Sequence, residues 1–332
     1  MSEDVALVTG ATGFLGGHLV PQLARSGWRV IAQGRDRDRL AALETPSVRP
    51  LRCGLDELPA AAEALAQDGP TPQVVVHAAA RSTFWGAWPD FYRDNVLGTA
   101  KVLACCRRLG VRRLVLVSSP SVYTAPRDRL AIKEDEVDWG NRLNGYIRSK
   151  LMAERLVRQA APPGLEVVVL RPRGLFGVGD TSIIPRLLAT NETGGVPLFR
   201  GGSVVADVTC VENVAHAIGL ALTSERAPGR TYNITNGEPR AFGALLAQLL
   251  RALGRRPRWR PLPVRAAYLL AAVLEAGHRA FAPSVEPRLT RYLVCTLGYS
   301  QTLDIDAARA DLGYQPTTSL DEGIERYAAS AK

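Results

Sequence analysis

The sequence predicts an α/β fold in which a parallel sheet is covered by helices on both faces. Between Val5 and Leu170, short apolar runs alternate with segments whose apolar residues recur at helical spacing, which is typical of a sheet buried on both sides. A glycine-rich loop follows the first apolar run. The chain has 332 residues, of which 46% are hydrophobic and 22% charged, so it can bury a substantial core.

The predicted elements alternate along the chain, and several helices stop at a glycine, which is a common C-terminal signal. The predicted strands are 5–8, 29–32, 74–77, 114–118 and 167–170, and the helices among them are 14–26, 88–109 and 146–160. Further helices are predicted at 242–253, 264–281 and 304–312. We therefore expect a doubly wound Rossmann domain over residues 1–173. Residues 174–332 should form a smaller C-terminal substrate lobe, interleaved with the last strands of the sheet.

Composition argues against several classes of protein. The N-terminus lacks the basic start of a secretory signal, and the longest apolar run, 266–274, is shorter than the roughly 20 residues of a membrane span. Net charge is +9 with scattered basic residues, which suits an anionic cofactor or an acidic substrate, and no nucleic-acid motif is present. An odd set of cysteines without a CxxC pattern indicates free thiols in a reducing cytoplasm and no metal site. These cysteines are Cys53, Cys105, Cys106, Cys210 and Cys295.

The glycine loop spans residues 9–16 and lies between a predicted strand and a predicted helix. Gly10 permits a tight turn, Gly13 lets the backbone approach a pyrophosphate, and Gly16 lets the helix pack closely on the sheet. In this context the loop predicts a bound dinucleotide, and the alternative is a purely structural turn. The candidate cofactor-binding residues of the loop are Gly10, Thr12, Gly13, Phe14, Leu15 and Gly16.

The tip of the second predicted strand distinguishes NADP(H) from NAD(H). An acidic residue at this tip would bind the ribose 2′-hydroxyl of NAD. The expected position is Gly34, and Arg35 follows it. Because an arginine suits a 2′-phosphate, the sequence favours NADP(H) over NAD(H). The alternative is that Arg35 is a surface residue and that Asp36 binds the ribose.

Tyr146 and Lys150 are four residues apart on a predicted helix and therefore share one face. A free phenol has a pKa of about 10, which is too high for efficient proton exchange at neutral pH. A neighbouring ammonium should lower the pKa of Tyr146, so the pair is a candidate for catalytic proton transfer. Lys150 could also hold the ribose of a nicotinamide.

Together these motifs resemble the extended short-chain dehydrogenases/reductases, from Leu7 to about Pro316. The resemblance implies that Ser119 hydrogen-bonds the substrate oxygen, with Ser121 as a nearby alternative. It implies that Asn95 shapes its helix and the proton path. It also implies a homodimer, and it adds Ala78, Ala79, Ala80 and Pro172 to the residues that line the cofactor.

The sequence departs from the family at several positions. An Asp that contacts adenine in the family is replaced by Gly54, which leaves open whether Asp56 substitutes for it. Ala206 stands where epimerases carry an Arg that grips the diphosphate of a nucleotide sugar. The Asp-Glu pair of dehydratases is replaced by Pro120 and Ser121.

Other segments resemble 3β-hydroxysteroid dehydrogenases and decarboxylating sterol-4α-carboxylate 3-dehydrogenases. They resemble 2-alkyl-3-oxoalkanoate reductases more closely still. These segments are 119–122, 170–173, 177–180, 207–217, 236–239, 289–291, 299–300 and 308–314. The resemblance implies reversible hydride transfer between NADP(H) and a 3-hydroxy or 3-oxo group on an apolar substrate, either a 2-alkyl-3-oxo acid or a sterol-like ring. Arg173 is a candidate anchor for an acidic substrate.

Several alternatives stay open at this point. The protein could instead be a nucleotide-sugar epimerase or dehydratase, or an NADP-sensing protein without catalysis. The aromatic segment 82–88 could flank an apolar substrate or pack between domains. Helix 264–281 could be a core helix, roof a pocket, or touch a membrane or partner.

Overall fold

A large parallel sheet organises the fold, as the sequence predicts, in a computed structural model that describes residues 4–67 and 69–331. The strands of the whole fold are β1 (Val5–Thr9), β2 (Arg29–Gly34), β3 (Val48–Arg52), β4 (Val74–His77), β5 (Arg113–Val117), β6 (Arg129–Ile132), β7 (Glu166–Pro172), β8 (Leu175–Phe176), β9 (Val196–Leu198), β10 (Val205–Ala206), β11 (Thr209–Cys210), β12 (Thr231–Ile234), β13 (Arg240–Ala241), β14 (Trp259–Pro261) and β15 (Gln301–Leu303). Its helices are α1 (Phe14–Arg25), α2 (Arg37–Leu43), α3 (Leu58–Gln67), α4 (Trp88–Phe91), α5 (Gly98–Leu109), α6 (Gly145–Gln159), α7 (Ile183–Thr193), α8 (Val211–Thr223), α9 (Phe242–Ala252), α10 (Val264–Phe281), α11 (Arg291–Gly298), α12 (Asp306–Leu312) and α13 (Leu320–Ser330).

The large sheet has seven strands in the order β12-β7-β5-β4-β1-β2-β3, and every neighbouring pair is parallel. The order reverses at β1, because the chain adds β2 and β3 on one side and then returns to add β4 on the other. Thr9 pairs with Gln33 of β2 and with His77 of β4, so the carboxyl ends of these strands meet at one edge. Open α/β sheets bind ligands at such a switch point.

Helices cover both faces of this sheet, which explains why its strands are continuous apolar runs. Successive residues of β1 point to opposite layers. Ala6 and Val8 pack in the layer that holds α1 and α8, whereas Val5 and Leu7 pack in the layer that holds α3 and α5. All of β1 is buried. The site at the carboxyl edge therefore rests on a rigid three-layer core.

The predicted helix 88–109 is not one regular α-helix. The structure divides it into α4, a π-helical segment over Tyr92–Leu97, and α5. A π-helical turn contains an extra residue and often marks a functional position. Here the π-helical segment contains Asn95, whose side chain is buried. Apolar periodicity alone does not reveal this insertion.

Two strands of the large sheet, β3 and β12, were not among the predicted strands, and β3 shows why. Its sequence contains Pro50 between two arginines, Arg49 and Arg52, so it lacks an apolar run. The strand lies at the sheet edge and pairs only with β2, which is where proline and charge are tolerated. The predicted helix 304–312 begins later, at Asp306.

The chain after Arg173 contributes to both parts of the fold. Strand β12 joins the large sheet and α8 packs on α1, while β13, β10, β15 and β6 form a separate four-stranded sheet. The division of the chain at residue 173 stays a prediction. Helix α10 buries Ala267 and Ala271 and exposes Leu269 and Val273. Among the described residues, no helix is long and apolar enough to cross a membrane.

All five cysteines are buried and unpaired, which agrees with the prediction of free thiols. Burial raises the pKa of the Cys53 thiol to about 11. Buried thiols of this kind are poor nucleophiles, so the cysteines serve packing.

Candidate active site

The glycine loop connects β1 to α1 at the switch point, as predicted. Gly10 has φ +71°, and a Cβ added there would lie 2.8 Å from the backbone N of Ala79. A Cβ on Gly16 would overlap the carbonyl oxygen of Gly10. Gly13 is the N-cap of α1, and its N–H donates to the Gly10 carbonyl at 3.0 Å. The loop is therefore closed against the segment after β4, and the N–H groups at the start of α1 form an anion-binding surface.

The other predicted cofactor residues lie at the same edge of the sheet. Phe14 and Leu15 form the first turn of α1, and residues 78–80 directly follow β4. Pro172 ends β7, where it pairs with Ile234 of β12. The structure thus gathers these residues around one cleft, and their contacts with a cofactor stay a prediction.

The tip of β2 has no room for a side chain at position 34, because a Cβ on Gly34 would lie 2.7 Å from the Thr12 side chain. Asp36 is the N-cap of α2 and accepts hydrogen bonds from the N–H groups of Asp38 and Arg39, both at 3.1 Å. Its carboxylate is therefore already engaged. Arg35 is exposed at the same tip.

Arg39 is a further basic residue at this tip that was not among the predicted site residues. Its Nη1 donates to the carbonyl oxygen of Thr12, in the glycine loop, at 3.1 Å. Arg52 Nε donates to the carbonyl oxygen of Arg35 at 3.4 Å. The available signal was the dense arginine run 35–39. Arg35, Arg39 and Arg52, from the β2 tip, α2 and β3, thus lie near the glycine loop at the carboxyl edge of the sheet.

Gly54 replaces the acidic residue that the resemblance leads one to expect after β3. A Cβ at Gly54 would overlap Oδ1 of Asp56, so the Asp56 carboxylate occupies the space beside position 54. The N–H of Gly54 donates to Oε2 of Glu57 at 2.8 Å. Asp56, two residues further along the chain, therefore places an acidic group beside position 54.

Tyr146 and Lys150 lie on one face of α6, as predicted. Asn144 caps this helix by accepting the N–H of Ile147 at 2.8 Å, which places Tyr146 in the first turn. Lys150 Nζ donates to the carbonyl oxygen of Val117, at the end of β5, at 2.9 Å. Nζ lies 6.0 Å from the centre of the Tyr146 ring, so an ammonium and a phenol share one small buried space.

Burial has the largest effect on the ionisation of this pair. Burial raises the pKa of Tyr146 well above its ordinary value, while its hydrogen bond with Ser119 acts in the opposite direction. Burial also lowers the pKa of Lys150 to about 8, although the charge of Glu154 opposes this shift. The pKa of Tyr146 thus lies above its ordinary value in this structure, because burial outweighs the hydrogen bond with Ser119, and the lowering of this pKa by Lys150 stays a prediction.

Asn95 connects the cofactor edge to the catalytic helix. Its Nδ2 donates to Ser149 Oγ at 2.8 Å and to the carbonyl oxygen of Arg81 at 3.1 Å. Its Oδ1 accepts the Arg81 N–H at 2.7 Å. Because these bonds engage both amide hydrogens, the side chain positions α6 relative to the segment after β4. Its role in a proton path stays a prediction.

Beside Lys150, His77 is buried between two threonines. Its ring nitrogens lie 2.8 Å from Thr9 Oγ1 and 3.0 Å from Thr99 Oγ1. Burial, with a smaller contribution from the charge of Lys150, lowers the pKa of His77 to about 3. The imidazole is therefore neutral at physiological pH, and protonation would oppose folding.

Replacing His77 with Gln should reduce the acid sensitivity of the fold. Between pH 6.5 and the folded-state pKa of about 3, the unfolded chain binds the extra proton, so stability falls as pH falls. At pH 5 this amounts to about 2 kcal/mol. Between pH 7 and pH 5, the free energy of unfolding in urea should therefore fall by about 2 kcal/mol less in His77→Gln than in wild type. The partly exposed His278→Gln is the control, and an unchanged pH dependence in His77→Gln would contradict the assignment.

A buried ion pair joins α6 to β7, and it was not predicted from the sequence. Arg171 of β7 binds Glu154 of α6 through two hydrogen bonds, at 2.9 Å and 2.6 Å. Ser118 Oγ also donates to Glu154, at 2.5 Å. Arg171 additionally contacts the Tyr123 hydroxyl, which donates to Asn233 at 2.9 Å. These contacts join α6 to β7, to β12 and to the end of β5, one helical turn after Lys150.

Two aromatic rings, Phe84 and Tyr292, form an aromatic wall beside Tyr146. Phe84 stacks on Tyr292 with ring centres 4.3 Å apart and meets Tyr146 edge-on at 5.6 Å. The Tyr292 hydroxyl lies 2.7 Å from Ser121 Oγ, which accepts a hydrogen bond from Ser119 Oγ at 3.0 Å. Ser119 also forms a hydrogen bond with Tyr146, while Ser121 is directed towards Tyr292. Tyr292 comes from α11, far along the chain, although it adjoins a motif at 289–291.

The aromatic segment 82–88 packs against other elements of the protein, and a contact with substrate stays a prediction. Phe84 lies at the site, whereas Trp85 Nε1 donates to the carbonyl oxygen of Pro283 at 2.9 Å. The ring of Trp88 stacks with the guanidinium of Arg148 at 3.7 Å. The segment is thus anchored by two tryptophans that follow Phe84, the residue that meets the Tyr146 ring.

Comparisons with known proteins agree with this geometry. A 2-alkyl-3-oxoalkanoate reductase of Stenotrophomonas maltophilia is 34% identical, with 98% of each chain covered. A decarboxylating sterol-4-alpha-carboxylate 3-dehydrogenase of Mus musculus is 31% identical over 96% of this chain and 88% of its own. The solved structure of MoeE5 with UDP-glucuronic acid and NAD superposes with a TM-score of 0.74 and 27% identity, covering 99% of this chain and 98% of that one.

The match to a family model extends from the glycine loop past the catalytic helix. Residues 6–235 match the NAD dependent epimerase/dehydratase family. This range contains Gly10, Ser119, Tyr146 and Lys150, which the structure gathers at one edge of the large sheet. The chain therefore belongs to the NAD dependent epimerase/dehydratase family.

Proposed function

We propose that the protein is an NADP(H)-dependent oxidoreductase that interconverts 3-hydroxy and 3-oxo groups on an apolar substrate, either a 2-alkyl-3-oxo acid or a sterol-like ring. The observation that carries the proposal is a buried phenol, Tyr146, held between the Ser119 hydroxyl and the aromatic ring of Phe84. This arrangement offers proton donors on one side and an apolar surface on the other. Relatives named for such activities support the same choice.

The residues at the cleft fit a dinucleotide with a 2′-phosphate. Gly10, Gly13 and Gly16 leave the pyrophosphate end open to backbone N–H groups. Asp36 is engaged as a helix cap, so it is poorly placed to bind a ribose, and Arg35 and Arg39 offer cations instead. The bound nicotinamide would supply or accept a hydride.

The chain's own residues would move the proton. In the reductive direction, Ser119 and Tyr146 donate hydrogen bonds to the substrate oxygen, and Tyr146 delivers its proton as that oxygen gains charge. Lys150 places a cation near the phenolate that forms and, by the resemblance, also holds the ribose. Asn95 keeps α6 in register with the cofactor edge.

The test measures oxidation of a panel of substrates through the absorbance of the reduced nicotinamide that forms. NADP⁺ and NAD⁺ are assayed separately. The panel contains 2-alkyl-3-hydroxy acids, simple 3-hydroxy acids, 3β-hydroxysteroids and UDP-sugars. Turnover of a hydroxy acid or steroid with NADP⁺ is expected. Turnover of UDP-sugars alone would refute the proposal.

A nucleotide-sugar epimerase or dehydratase is the second candidate, because a structural relative was solved with UDP-glucuronic acid and NAD. Two positions argue against it here. Ala206 lies in β10 and has no group to grip a diphosphate. Pro120 and Ser121 start a 3₁₀ turn and carry no carboxylate for water loss. The third candidate is a non-catalytic NADP sensor. Such a protein would not require Ser119, Tyr146 and Lys150 together at this site.

Replacing Arg35 with Ser should weaken the binding of NADP⁺ and not the binding of NAD⁺. Loss of one charge-assisted phosphate contact should raise the KM for NADP⁺ by about 10- to 100-fold and leave the KM for NAD⁺ within about twofold. Arg25→Ser, an exposed charge loss at the end of α1, is the matched control. An equal effect on both cofactors would contradict the assignment.

A further inference from the structure

Arg173 lies directly after β7, at the carboxyl edge of the large sheet. Its N–H donates to the carbonyl oxygen of Ile234 at 3.0 Å, and its own carbonyl accepts from the Thr209 hydroxyl. The backbone is therefore held firmly, and the side chain is only 6% exposed. Such a position is unusual for an arginine, whose burial normally requires an anionic partner.

Among the described residues, the guanidinium of Arg173 has no anionic partner within hydrogen-bond distance. Nη1 donates to the neutral side chain of Gln301, and buried Nε has no hydrogen-bond acceptor. Within the described part of the chain, Arg173 forms no ion pair. The buried carboxylate of Asp207 accepts the Leu303 N–H at 2.7 Å and offsets part of the charge of Arg173 without a direct hydrogen bond to it. Nε and Nη2, the two donors on one side of the guanidinium, are left to bind a planar anion.

This unpaired cation adjoins the catalytic centre. Tyr292 lies close enough to Arg173 for each to influence the ionisation of the other. From Tyr292, hydrogen bonds lead through Ser121 to Ser119, which contacts Tyr146. The guanidinium and the proton-donating phenol are thus separated by one short polar chain along the aromatic wall.

We propose that Arg173 binds the carboxylate of the substrate, which makes the substrate a β-hydroxy or β-oxo carboxylate and not a neutral alcohol. An arginine fork matches a carboxylate through two parallel hydrogen bonds. In a β-hydroxy acid the carboxylate carbon is two bonds from the reacting carbon, so the proposal requires one bound molecule to reach both Tyr146 and Arg173. The inference rests on the proposed function, and it applies equally to open-chain and ring-bearing acids.

The test compares a 2-alkyl-3-hydroxy acid with its methyl ester as substrates for NADP⁺-dependent oxidation. Wild type should oxidise the acid with a kcat/KM about 10- to 100-fold above that of the ester. Arg173→Gln should lose this preference through a higher KM for the acid and leave the ester within about twofold. Arg173→Lys should restore part of it, and the exposed Arg107→Gln should match wild type.

Equal kcat/KM values for acid and ester in wild type would overturn the inference, whatever the variants do. So would an equal loss on both substrates in a folded Arg173→Gln protein. A separate binding experiment uses a 2-alkyl acid without the 3-hydroxyl, and its amide, titrated into the NADP⁺-loaded protein. Binding of the acid alone, lost in Arg173→Gln, with no turnover of any hydroxy acid would support the carboxylate site and refute the proposed reaction. No discrimination between acid and amide would refute the site.

Discussion

Tyr146→Phe should lose almost all oxidoreductase activity while keeping its fold and its affinity for NADP⁺. The substitution removes one hydroxyl from a buried ring and leaves the edge contact with Phe84 intact. General acid–base catalysis contributes about 10²- to 10⁴-fold to rates, so kcat should fall by that factor. Steady-state kinetics gives kcat, and thermal unfolding with and without NADP⁺ checks fold and cofactor binding.

The matched control for this prediction is Tyr299→Phe, because Tyr299 follows α11 away from the catalytic hydroxyls. Its kcat should stay at the wild-type value. If Tyr146→Phe kept more than about a tenth of wild-type kcat, Tyr146 would not be the proton donor.

Glu154→Gln should cause the largest loss of stability among the substitutions considered. Glu154 is completely buried and binds Arg171 through two hydrogen bonds. Removing one charge leaves a buried guanidinium without its anion, which costs about 3–5 kcal/mol. The free energy of unfolding in urea should fall by that amount, and activity should fall with it because α6 carries Tyr146.

Glu325→Gln on α13 is the control, because Glu325 is exposed and its change should alter stability by less than about 0.5 kcal/mol. The double variant Glu154→Met, Arg171→Met removes both charges. It should be more stable than Glu154→Gln, since the buried cation is gone. Equal stability of Glu154→Gln and wild type would show that the ion pair contributes nothing.

The catalytic pair and the glycine loop could be predicted because each is encoded locally. Tyr146 and Lys150 are one helical turn apart, and Gly10 to Gly16 span one strand–helix turn. The strands of the large sheet could also be predicted where both faces are buried. The two edge strands could not. Pro50 and its charged neighbours leave β3 without an apolar run, and Thr231 and Asn233 interrupt the apolar residues of β12.

The surroundings of the catalytic pair could not be predicted, because they depend on contacts between distant segments. Tyr292 reaches Ser121 from 171 residues further along the chain. The raised pKa of Tyr146 follows from burial, which only the packed fold determines. The helical pattern of 88–109 likewise gives no sign of the π-helical turn that buries Asn95.

The most direct test of the account follows the hydride itself. A 2-alkyl-3-hydroxy acid with deuterium at C3 is incubated with the protein and NADP⁺, and both products are analysed by mass spectrometry. The account predicts that deuterium moves to the reduced nicotinamide while C3 becomes a ketone. A protein that returned the deuterium to its substrate, or that transferred hydride only from a labelled UDP-sugar, would contradict it.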